Sequence, residues 1–222
     1  MKIDMHVHSV YSPVSRKRFL SLEALHSPEQ MLKSAKEKGL DGIALTDHDT
    51  IAGINEAKKA AKKLSMTLVP GCEISTRDGH LLAYWLNKVP KQGMPVEETI
   101  DELRKQGAKI AAAHPYHPGF WLALGKKAFS IDVDAIEVFN SRSLHILDIL
   151  NKNAAEKRGL PMIAGSDSHA LWEIGGAFTE FPGDPEKNFK KAKPVYRYST
   201  PVQNIAKTYL LRFLWKLGVW KP

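Results

Sequence analysis

The 222-residue chain has almost no cysteine. Cys72 stands alone, so an internal disulfide is excluded and a reducing compartment is the expected home. Long apolar runs are missing too. No stretch reaches the roughly 18 residues needed to cross a bilayer, so no transmembrane segment is expected. The opening residues, MKIDMHVHS, lack the apolar core of a secretory signal, which points to a cytoplasmic protein. Repeats, low-complexity tracts and linker-like segments are absent, and residues 1–222 read as one domain. Acids are in deficit: Asp+Glu number 24 against 32 Lys+Arg, a formal charge of +8. That balance hints at an anionic partner, although net charge speaks to solubility and steering before function. Hydrophobic residues at 43% and charged residues at 25% exclude a disordered or fibrous chain.

What is present alternates short β-type runs with helical periodicity, the pattern of an α/β fold. Strands are expected at Lys2–His8, Gly42–Thr46, Thr67–Ser75, His80–Leu86, Ala108–Ala113, Ala135–Phe139 and Pro161–Ala164, with a short eighth at Gly176–Phe181. Ser27-Pro28-Glu29 has the chemistry of a helix start: an N-cap hydroxyl, proline at the first helical position and an acid in the first turn. Further helices are expected over about 50–64, 95–106 and 144–157. Residues 184–200 read as a polar, Lys-rich segment. Residues 201–217 read as an amphipathic helix whose apolar stripe (Val202, Ile205, Tyr209, Leu210, Phe213, Leu217) rests on the body of the protein. The length suits a compact, distorted (β/α)7 barrel of the TIM type.

The metal-capable residues cluster by place in the element rather than by place in the chain. His6 and His8 end the first strand, and Asp47 and His48 follow the second. Glu73 lies near the end of the third, and His80 opens the fourth after a short turn. His114 follows the fifth; Asp167 and His169 follow the seventh. In a parallel α/β barrel the carboxyl ends of the strands share one face, so residues more than 150 apart meet there. Two-residue alternation places Asp4, His6 and His8 on the site side of the first strand, with Ile3, Met5 and Val7 toward the helices. The same rule turns Cys72 away from Glu73, as a core residue. Imidazoles and carboxylates without a thiolate suit Zn, Mn or Fe. The surplus of donors over one tetrahedral ion implies at least two ions, bridged by a carboxylate such as Glu73, that hold a hydroxide and clamp an anionic substrate.

Six segments in order carry a resemblance: DMHVHS (4–9), LTDHDT (45–50), GCEIS (71–75), HLLAY (80–84), AHP (113–115) and GSDSH (165–169). Together they resemble the PHP (polymerase and histidinol phosphatase) family of metal-dependent phosphoesterases, in its small stand-alone form. The resemblance implies a first metal on His6, His8, Glu73 and Asp167, and a second on Glu73, His80 and His114. A third would lie on His48 and His169, two residues that otherwise serve as phosphate ligands or general acids. Many relatives add an Asp to that third site from the loop after the first His pair. This chain has Val14 in the corresponding loop, so the third site is expected to be weak, empty, or completed by Glu23 or His26. Two or three divalent ions are implied, with Asp4 and Asp47 orienting ligand imidazoles.

Around this set, Arg142 is placed to clamp phosphate, and Arg16, Lys17 and Arg18 to steer it or to grip a nucleic-acid backbone. His117, three residues beyond His114, is a substrate-binding candidate, and Trp121 and Trp172 are candidates to stack on a base. The implied activity is hydrolysis of a phosphate ester: a nucleotide, a small phosphomonoester or an oligonucleotide end. Two rivals share the barrel: an amidohydrolase-type enzyme attacking C–N bonds, and a non-catalytic RNA-binding scaffold.

Overall fold

The computed structural model describes residues 1–13, 24–117 and 123–221. Val14, Arg16, Lys17, Arg18, Glu23 and Trp121 therefore lie outside the described residues.

The capping chemistry at Ser27 forms as the sequence suggests. Ser27 Oγ accepts from the Gln30 N–H while Gln30 Oε1 accepts from the Ser27 N–H, which starts α1 (Pro28–Glu37). The second helix, α2 (Ile54–Leu64), starts four residues later than expected, after a turn in which the Ile54 N–H donates to Ile51 O at 3.1 Å. The remaining helices are α3 (Val96–Lys105), α4 (His145–Glu156) and α5 (Val202–Lys216). Among the described residues, no helix is long and apolar enough to cross a membrane.

Nine strands form one sheet among the described residues: β1 (Lys2–Val7), β2 (Gly42–Leu45), β3 (Thr67–Ser75), β4 (His80–Tyr84), β5 (Lys109–Ala112), β6 (Ala135–Asn140), β7 (Met162–Gly165), β8 (Ala177–Glu180) and β9 (Lys193–Tyr196). Their order is β7-β6-β5-β4-β3-β2-β1-β8-β9. The sheet curls until its ends meet. The His8 N–H donates to Ser168 O at 2.9 Å, and a Cβ added to Gly165 would stand 2.4 Å from His6 Cβ. Gly165 is thus where β7 closes on β1, at a distance no larger residue permits. The result is a mixed, nearly closed α/β barrel of the TIM-like kind.

Three features depart from the sequence reading. First, β4 runs antiparallel to both β3 and β5. Its N-terminal residue, His80, therefore lies at the same rim as the C-terminal end of β3, which is how a strand-opening residue joins a strand-closing set. Second, the polar 184–200 segment contains β9, an edge strand paired with β8. Its Lys193 and Pro194 are residues that suit an edge.

Third, simple alternation fails in β1. Asp4 pairs with Ile43 and Val7 with Leu45, three steps on one strand against two on the other, which is a bulge. Ile3 and Met5 consequently enter the barrel interior with Leu82, Tyr84, Ala111 and Ile163. Val7 packs outside with Leu32, Ile43 and Leu45. The bulge turns His6 and His8 to the rim and takes Asp4 off it. Phe189 and Tyr84, ring centroids 5.5 Å apart, fill the opposite end of the barrel.

α5 does not dock through its apolar stripe. Val202, Leu210, Phe213 and Leu217 remain more than half exposed, and Thr208 is the helix's one buried residue.

Candidate metal centre

Strand ends and the turns after them bring the donors together. His6 and His8 come from the end of β1, His48 from the turn after β2, Glu73 from β3 and His80 from the start of β4. His114 follows β5, and Asp167 and His169 follow β7. His114 (φ 28°) and Asp167 (φ 54°) sit in the left-handed region, which is unfavourable for a residue with a Cβ by about 1–3 kcal/mol. The backbone bends there to aim two ligands inward.

Glu73 is the hub. Its Oε2 lies 3.3 Å from His6 Nε2, 3.3 Å from His8 Nε2 and 3.0 Å from His48 Nδ1. Its Oε1 lies 2.7 Å from His80 Nδ1 and 3.1 Å from His114 Nε2. Asp167 Oδ1 faces the same rings from the other side, 3.2 Å from His8 Nε2 and 3.6 Å from both His6 Nε2 and His169 Nδ1. Among the described residues, three overlapping groups have ligand atoms within 4.8 Å of one another: His6–His8–Asp167, His48–Glu73–His80 and His8–His48–His169.

A crowd of buried carboxylates and imidazoles is tolerable only if positive charge lies among it. Burial alone would push the Glu73 carboxyl up, but His48, His80 and His6 outweigh it and hold the group well below its ordinary range. Asp167 is held low in the same way, chiefly by His6 and His8. His6 is raised well above its ordinary value because Glu137, Asp167 and Glu73 overcome its burial. His48, by contrast, is lowered to about 3 and His169 well below its ordinary value, both chiefly by burial. Burial thus favours the uncharged form of both rings.

The donor set fits divalent ions. It is all nitrogen and oxygen, the His6 and His8 Nε2 atoms face each other at 3.0 Å, and buried His169 Nε2 has no hydrogen-bond partner.

The residues behind the ligands differ from those expected. Asp4 touches no imidazole. Its carboxylate, raised to about 6 by burial, accepts from the backbone N–H groups of Ser166 (2.8 Å), Gly175 (2.9 Å) and His6 (3.3 Å), tying β1 to the turn after β7. Asp47 acts through a hydroxyl: it accepts from Ser12 Oγ at 2.9 Å, and that oxygen lies 3.3 Å from His8 Nδ1. The carboxylate that does hold a ligand ring is Glu137 of β6, at 2.9 Å from His6 Nδ1, with its other oxygen accepting from the His114 N–H at 2.9 Å. Sequence reasoning passed over Glu137, although an acid inside the apolar run AIEVF was a usable signal.

Arg142 is partly buried, its side chain 5% exposed, and its Nη1 donates to Glu173 Oε2 at 2.7 Å. The His117 ring lies tilted against His114, centroids 5.2 Å apart, and lines a mainly apolar cleft of about 480 Å³ with Pro115, Tyr116, Leu147 and Leu150. His26 does not join the donors: its ring meets Trp172 edge-on at 5.9 Å, and burial lowers it to about 4. Trp172 is covered by Lys207 Nζ at 4.2 Å, so this ring packs against the protein itself.

Beneath the rim, fully buried Asp148 has a carboxyl raised to about 8 by burial. Folded, it keeps a proton that the unfolded chain releases near pH 4. Stability therefore falls as pH rises from about 4 to about 8, by up to ~1.4 kcal/mol per pH unit. Asp148→Asn has no such proton to lose. Its melting temperature is expected to match that of the parent near pH 4.5 and to exceed it at pH 8; equal melting at both values would refute this.

The geometry defines a barrel with a histidine- and carboxylate-rich centre at one rim. The PHP domain profile matches residues 4–118, just over half the chain, and a PHP-associated profile matches residues 151–192. The chain belongs to the PHP family. An uncharacterised protein of Methanocaldococcus jannaschii is 39% identical over 158 residues, 71% of this chain and 91% of that protein. A 5′-3′ exoribonuclease of Haemophilus influenzae is 41% identical over 75 residues, 34% of this chain and 24% of the enzyme. Among solved structures, a two-domain protein of Bacteroides vulgatus containing a predicted PHP-like metal-dependent phosphoesterase shares the fold (TM-score 0.70, 21% identity, 88% of this chain and 64% of that one).

Proposed function

We propose that this chain is a metal-dependent hydrolase of phosphate esters. The observation that carries the reading is a single buried carboxylate, Glu73, within 3.3 Å of five imidazoles and faced by a second carboxylate, Asp167. Two ions would be held by His6, His8, Glu73 and Asp167 and by Glu73, His80 and His114, with His48 and His169 available to a third. When bound, such ions lower the pKa of a water and neutralise charge on phosphoryl oxygens, and Zn, Mn or Fe would serve. Glu137 keeps the His6 ring turned with Nε2 toward the centre. Arg142, five donors on a plane with one nitrogen held by Glu173, orients the phosphate. The cleft beside His117 receives the remainder of the ester, and its apolar lining suits a ring-bearing group. The exoribonuclease relative and the charge of +8 support a nucleotide or oligonucleotide end as substrate.

The test is a panel of p-nitrophenyl phosphate, nucleoside monophosphates and 5′-phosphorylated oligonucleotides, assayed with Mn²⁺, Zn²⁺ or EDTA. Hydrolysis of at least one ester is expected, with a loss of at least about 100-fold in EDTA that added metal reverses. Metal-loaded protein that cleaves cyclic amides and no phosphate ester would establish the C–N reading. Protein that takes up less than about one ion per chain would be the scaffold instead.

A further inference from the structure

We propose that helix α5 is a working part of this site, with Thr208 positioning Arg142 on the substrate phosphate through Glu173. The inference rests on the phosphoester reading above and adds a residue far from every ligand in the chain.

Glu173 is fully buried and receives three donors from three segments. Its Oε2 accepts from the His169 N–H at 2.7 Å and from Arg142 Nη1 at 2.7 Å, and its Oε1 accepts from Thr208 Oγ1 at 2.8 Å. One carboxylate thus joins a candidate ligand, the phosphate clamp and α5. Thr208 is the buried residue of a helix whose apolar side chains are largely exposed, so apolar burial does not explain where the helix sits.

The contacts leading into the helix converge on the same place. The Thr200 N–H donates to Ser141 O, next to Arg142, and Tyr198 Oη donates to Ile174 O, next to Glu173. Lys207 Nζ covers Trp172, on the other side of Glu173. Residues 198–208 therefore bridge the turn that carries Arg142 and the segment that carries Glu173. The Tyr209 hydroxyl lies within the fields of Arg142, Asp167 and Glu173, on the same side.

The chemistry follows from how the Glu173 carboxylate is turned. A carboxylate with both oxygens available takes a guanidinium in a two-pronged pair. With Oε1 turned to Thr208, Arg142 contacts the carboxylate through Nη1, which leaves its other donors for phosphate. Removing the hydroxyl lets Glu173 draw in the whole fork, away from phosphate.

The experiment uses the full chain with p-nitrophenyl phosphate as substrate, inorganic phosphate as competing probe and metal analysis alongside. Thr208→Val and Thr208→Ala are each expected to raise KM and the phosphate inhibition constant about 10-fold, with kcat and bound metal within about twofold of the parent. Thr208→Ser restores both constants. Parent values of KM and phosphate inhibition in the two hydroxyl-free variants would overturn the proposal, as would a drop in melting temperature unaccompanied by a change in either constant. A parent that hydrolyses no phosphate ester defeats the underlying functional reading and this proposal with it. An active parent with indifferent Thr208 variants defeats this proposal alone.

Discussion

Glu73→Gln is expected to lower kcat/KM by at least about 10³-fold and to strip bound metal from the protein, even when metal is in excess. Both Glu73 oxygens are in use, one by His80 and His114 and the other by His6, His8 and His48. A carboxamide keeps the shape but offers one neutral oxygen and an N–H₂ aimed at imidazole nitrogens, so two ions can no longer share it. Asp167→Ala and His6→Ala remove donors from one side of the centre and are expected to abolish turnover, with circular dichroism unchanged. Parent-like turnover in any of the three would show that the chemistry takes place elsewhere.

Glu137→Gln is the second large effect, and its signature differs. Glu137 would bind no ion; it fixes the His6 ring through Nδ1 and the His114 backbone through its N–H, and also accepts from Asn140 Nδ2 at 3.3 Å. Loss of its charge weakens the basicity of His6 and loosens two ligands together. Metal affinity is expected to fall about 10- to 100-fold, the range for residues that orient metal-binding histidines. Saturating metal should recover most of kcat, which it cannot do for Glu73→Gln. An unchanged metal titration would remove Glu137 from this role.

The reach of the sequence is clearest at the rim. His6, His8, His48, Glu73, His80, His114, Asp167 and His169 could be named because each lies at a strand end, and a barrel sends strand ends to one place. The α1 start was equally legible, since Ser27, Pro28 and Gln30 interact within one turn. The arrangement of β1 was not. A bulge between Asp4 and Val7 reverses alternation, and what creates it is pairing with β2, more than 30 residues away. Asp4 consequently serves backbone N–H groups and Glu137 takes the imidazole. Arg142 could be singled out as a cation near the site, but its partner Glu173 lies 31 residues on and becomes a neighbour only when β6 and β7 pair in parallel and their C-terminal ends come together. The apolar stripe of α5 suggested a buried face, whereas much of that stripe is exposed and the helix meets Glu173 through the Thr208 hydroxyl.

Local chemistry by itself determined the donor types, the order of most elements and the family, because those depend on residue identity and on spacing within a turn or a strand. Tertiary structure decided which carboxylate supports which ring, where β4 and β9 run, and what holds Arg142. Those choices depend on strand register and chain closure, and a one-residue change in either sends a side chain to the opposite face of the sheet.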